Sequence, residues 1–115
     1  MSTSESWVNL PGRILGPSLG AAGLAAWVLG KHGDDEAAAA TGELQDELDA
    51  ALRSGVTVQA RVPRETVARA ASLWERAAAL LEGWSAEVGG DPQADREAAR
   101  LRTRVASLRK ALGPS

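Results

Sequence analysis

His32, Asp34, Asp35 and Glu36 put one imidazole and three carboxylates within five residues. Such groups bind divalent metals or move protons, but this spacing matches no metal-loop signature. His32 is the single histidine, and the chain contains neither Cys nor Tyr. A Ser-His-Asp triad would need His32 as its base, and no nucleophile elbow accompanies it. The three acids suit the start of a helix, where carboxylates cap free N–H groups and meet the favourable end of the dipole. Gly16, Gly20 and Gly23 do not make a phosphate loop, because no strand precedes them and no Lys-Ser/Thr pair follows. The expectation is a non-catalytic protein with no cofactor and no metal.

Composition narrows the choice further. The chain has 115 residues, four Trp, no Phe and no Cys. Without cysteine it can build neither a disulfide framework nor a thiolate metal site. A core of Ala, Leu and Val buries little area per residue, so close helix packing or self-association has to supply the rest. Charge is unevenly spread. Residues 1–52 carry two basic and eight acidic side chains, and residues 53–115 carry eleven basic and seven acidic. Either the acidic helix packs beside the basic ones, or a basic face is offered to nucleic acid or another acidic partner.

Ile14 to Gly30 is an uncharged run bounded by Arg13 and by Lys31-His32. A secretory signal fits it poorly, since the preceding region is Ser-rich with a single Arg and no small-x-small cleavage site stands out. Three uses suit the run: a helix buried in the fold, a single membrane span, or a helix inserted into a partner. Gly16 and Gly20 form a GxxxG step, and Gly23, Ala22 and Ala26 add small residues that permit close helix approach. Pro17 suits the first turn of this helix, predicted over about 17–29. An acidic helix follows over about 34–53, with Leu44, Leu48 and Leu52 on one stripe. A long helical hairpin follows over about 64–88 and 92–112. Its seam is Val67, Ala71, Trp74, Ala78 and Leu81 on one helix. On the other it is Ala98, Leu101, Val105, Leu108 and Leu112, at heptad spacing. Asp91 and Pro92 mark the start of the last helix.

Between the acidic helix and the hairpin the period changes. Val56, Val58, Ala60 and Val62 alternate with Thr57, Gln59 and Arg61, which predicts a strand over 56–62. A lone strand leaves its backbone groups unpaired, and the simplest partner is the same strand in a second copy. Val56 to Glu65, Val-Thr-Val-Gln-Ala-Arg-Val-Pro-Arg-Glu, resembles the opening of ribbon-helix-helix DNA-binding proteins. The resemblance implies an antiparallel ribbon in the major groove, with Thr57, Gln59 and Arg61 reading bases. It covers the first half of that motif. The family's first helix is short, whereas here the next break comes at Gly89-Gly90.

Together these features predict a mostly α-helical bundle that self-associates. Residues 1–33 would form a tail and apolar helix, and residues 34–115 a helical domain, in a cytoplasmic or membrane-associated protein. The expected function is a non-catalytic interaction or assembly subunit. Its apolar helix would pack into a membrane or an unidentified protein partner, and its hairpin would serve as the docking surface. The alternative is a dimeric DNA-binding protein using the 56–62 strand. Arg96, Arg100, Arg102, Arg104, Arg109 and Lys110 would then contact phosphates. Otherwise they form a solvated face or pair with Glu43, Asp46, Glu47 and Asp49.

Overall fold

The computed structural model describes residues 7–54 and 59–113. The element order is β1 (Trp7–Pro11), α1 (Gly12–Lys31), α2 (Asp35–Ser54), β2 (Gln59–Pro63), α3 (Arg64–Glu87) and α4 (Pro92–Leu112). The chain is thus a mostly α-helical bundle with a long C-terminal hairpin. The strand expected over 56–62 is present over its described part, Gln59 onward, and Thr57 lies outside the described residues. It is not alone, for β1 pairs with it in antiparallel register. Val8 lies opposite Val62, Asn9 opposite Arg61 and Leu10 opposite Ala60. The pairing assigned to a second copy is made inside one chain.

Both strands end in a proline that opens a helix. Pro11 (φ −62°, ψ 150°) and Pro63 (φ −56°, ψ 137°) hold extended backbone at the N-cap positions of α1 and α3. This corrects the expected start of the first helix from Pro17 to Gly12. Pro17 falls in the second turn, where its missing N–H forfeits one helical bond. The adjacent Ser18 is buried, and its Oγ donates to the Ile14 carbonyl at 2.7 Å.

The two helical turns share one design. After α1, Asp34 N–H reaches back to the Leu29 carbonyl at 2.9 Å, with Gly33 at φ +85°. After α3, Gly90 N–H reaches the Ser85 carbonyl at 2.7 Å, with Gly89 at φ +84°. Each is a six-to-one closure that needs glycine in the left-handed region. An aspartate then caps the next helix. Asp34 Oδ1 accepts from Ala37 N–H at 3.1 Å, and Asp91 Oδ1 accepts from Gln93 N–H at 2.9 Å.

The molecule therefore consists of two strand–helix–helix units. Burial repeats with them. Leu15, Ser18, Ala22, Ala25 and Leu29 of α1 correspond to Val67, Ala70, Trp74, Ala77 and Leu81 of α3. Ala37, Thr41, Leu44 and Leu48 of α2 correspond to Ala94, Ala98, Leu101 and Val105 of α4. The units exchange contacts about an approximate two-fold axis. α1 meets α3, α2 lies on β2, and α4 lies on β1. Each unit alone would leave one face of its helices and one edge of its strand bare.

One hydrophobic cluster joins all six elements. α1 belongs to it, so the position between residues 33 and 34 is a tight turn within the bundle. Trp74 is fully buried, and of the other seam residues Val67, Ala71, Ala78, Leu81, Ala98, Leu101, Val105 and Leu108 are buried. Leu112 is partly buried at the end of the seam. On α2, Leu44 and Leu48 are buried, while the Leu52 side chain lies outside the described set.

Candidate nucleic-acid interface

Alternation divides the ribbon into two faces. Val8, Leu10 and Val62 point into the core, each no more than 6% exposed. Trp7, Asn9 and Arg61 occupy the opposite face and are exposed. Gln59 takes the register position opposite Pro11. The Arg61 guanidinium lies 5.0 Å from the centre of the Trp7 ring, a diagonal contact across the two strands. Stacking restrains a side chain that otherwise has many rotamers, at little cost to its donors.

The helix starts differ at the two ends of the molecule. α2 and α4 are capped by Asp34 and Asp91. α1 and α3, which spring directly from the ribbon, follow prolines and receive no side-chain cap. Their first N–H groups and the positive ends of their dipoles flank the ribbon, an arrangement suited to anions. Arg13 and Arg64 lie beside them and are exposed. Arg64 also donates to the Leu112 carbonyl at 2.7 Å, which ties α3 to the end of α4.

The remaining basic residues divide between structure and surface. Arg102 makes a two-point contact with Glu82 at 2.7 and 3.0 Å, and Arg109 contacts Glu75 at 2.5 and 3.3 Å. The hydrogen bond from Arg109 holds the Glu75 carboxyl below its usual value, with the charges of Arg109 and Arg102 adding to it and desolvation opposing. The hydrogen bond from Arg102 lowers Glu82 in the same way, and Arg102 is raised in return. These arginines clamp the α3–α4 hairpin. On α2, Glu47 accepts from Thr66 and Asp49 pairs with Arg53. Among the described residues, no ion pair joins acidic α2 to basic α4.

The other sequence candidates lie elsewhere. His32 is exposed at the C-cap of α1, and Asp34 also pairs with Arg76. No group of three His, Cys, Asp or Glu is placed to hold a metal among the described residues. Gly16, Gly20 and Gly23 have open space where a Cβ would stand, so the GxxxG step serves no close approach within the bundle. Ala22 is buried and Ala26 half-buried. α1 is long and apolar enough to cross a membrane by length and composition, and here its Leu15, Ala25 and Leu29 face packs the core.

At the turn end, Trp27 and Trp84, 59% and 40% exposed, line a cleft of about 500 Å³ with Lys31, Gln93 and Glu97. Lys31 Nζ stands 4.9 Å over the Trp27 ring. Trp7 and Asn9 are the site residues that alternation of a single strand did not reveal. The signal for them was the shared Pro that ends each strand, Leu10-Pro11 and Val62-Pro63. No family model, curated protein or solved structure matches this chain.

Proposed function

We propose that this chain is a non-catalytic DNA-binding protein that lays its β ribbon in the major groove. One observation carries the reading: an antiparallel ribbon presents Trp7, Asn9 and Arg61 outward between two helix starts that lack side-chain caps. A two-stranded ribbon fits the width of the major groove. Arginine suits the O6 and N7 of guanine, and asparagine the N6 and N7 of adenine. The free N–H groups of α1 and α3, with Arg13 and Arg64, would take phosphates on either side. The resemblance of Val56–Glu65 to ribbon-helix-helix proteins points the same way, with both strands supplied by one chain.

Acidic α2 beside β2 limits the electrostatic share of binding. With roughly three or four phosphate contacts, log affinity should fall with log salt at a slope of about −3. Arg61→Ala should weaken binding about tenfold or more and relax preference at one base pair. Fluorescence anisotropy titrations of duplex pools at several salt concentrations measure both. Absence of binding at low ionic strength, or an Arg61→Ala variant that binds like the parent, would remove the reading.

A second reading, the non-catalytic assembly subunit, is favoured by the Trp27–Trp84 cleft. Large exposed aromatics in a concave site are common anchors of interfaces. The occupant would be a second copy of the chain. Light scattering of the parent and of Trp27→Ser tests it, since a monomeric parent rules it out.

A further inference from the structure

We infer that the duplex recognised by this ribbon is non-palindromic and is read by a single chain. The inference rests on the DNA-binding reading above and adds the form of the target. The framework of the ribbon is two-fold: its register is centred on Asn9 opposite Arg61, and matching prolines close both strands. A duplex has a local dyad of the same kind, so such a ribbon sits in the groove with its strands related by that axis. Two identical chains would present identical side chains to both half-sites and would select a palindrome.

Here the equivalent positions hold different residues. Asn9 corresponds to Arg61, and Trp7 corresponds to Gln59. Arg61 favours guanine, while Asn9 favours adenine. Arg61 has an aromatic brace in Trp7, whereas the diagonal register position that would serve Asn9 holds Gln59, which is not aromatic. The flanks differ as well. Arg13 of the first unit corresponds to Glu65 of the second. α4, beside β1, carries six basic residues, two of them held by Glu82 and Glu75, and α2, beside β2, carries six acidic ones. One half-site is therefore held through its phosphates more strongly than the other, and the two are read at different bases.

The test is selection of duplexes from a randomised pool by the full chain, followed by light scattering of the complex with the enriched sequence. The expected result is one asymmetric motif bound by one chain per duplex. Arg61→Ala should lower discrimination at one guanine at least about fivefold and leave the other half unchanged. Asn9→Arg should make the bases read in the two halves more alike and enrich a more palindromic motif. Both residues are exposed, so thermal melts confirm that the variants stay folded. A palindromic motif from the parent chain, or two chains per duplex, overturns the inference and leaves DNA binding standing. Failure to enrich any duplex removes both together.

Discussion

Trp74 is the residue on which the core depends most. With no Phe or Tyr available, Trp74 is the largest fully buried side chain among the described residues. Its ring is fully buried, and its Nε1–H has no acceptor among the described residues. An unpaired buried donor costs about 1–3 kcal/mol, and an emptied indole site costs about 3–5 kcal/mol. The two effects separate by substitution. Trp74→Ala should destabilise by about 3–5 kcal/mol. Trp74→Phe loses some area but also removes the orphaned donor, so it should fall within about 1 kcal/mol of the parent. Urea unfolding with an unchanged slope measures both. Equal losses in the two variants would mean that the indole nitrogen costs nothing. Arg61 was readable as a surface residue because a strand's period of two fixes its face. The stacking partner was not, since Trp7 is remote in sequence and its own strand is only five residues long.

The elements divide by whether their signals are local. The hairpin of α3 and α4 was legible to within a residue because Pro63, Gly89-Gly90 and Asp91-Pro92 act at the ends they mark. α1 was misplaced at its start because Pro17 reads as an opening residue, while Pro11, the true one, is hidden in a turn-like Pro-Gly pair. β1 was missed because a strand this short is stabilised by its partner, and Val62 is far along the chain. Charge complementarity was expected between α2 and α4, yet the clamps of α4 among the described residues run to α3 through Glu75 and Glu82. That choice has a pH signature. Both carboxyls titrate below the ordinary glutamate value of 4.5 in the folded chain. A lowered folded-state value means that the clamp's contribution is fully present above that ordinary value and is lost as pH falls through the lowered ones. Melting temperature should therefore drop below about pH 4.5, and the drop should be shallower in a Glu75→Gln, Glu82→Gln variant. Half-exposed side chains make the effect small and sensitive to salt. A variant with the parent's acid profile would mean that the clamps do not hold the hairpin.

At the scale of the whole molecule, the repeat escaped notice because its shared features are few. Two prolines, two left-handed glycines, two capping aspartates and a spacing of buried residues are common to both units, while the exposed residues diverge into a largely apolar helix, an acidic one and a basic one. The two-fold arrangement lets the two units complete one another's modest core within one chain. Each strand covers the open edge and apolar face that the other would leave bare. Deleting residues 1–11 undoes that closure. It removes Leu10 and Val8, fully and nearly fully buried, and leaves β2 with an unpaired edge above an apolar inner face. An uncovered edge of this kind recruits an identical strand. Two truncated chains can then pair β2 with β2 about Arg61 and recover the ribbon between molecules. Light scattering should show the mass of the truncated chain doubled, and its melting temperature should rise with protein concentration. Val62→Lys in the truncated chain should abolish the dimer, because a charge on the inner face cannot enter the shared core. A truncated chain that stays monomeric, folded or unfolded, would show that the pairing of β1 with β2 does not stand in for a second copy.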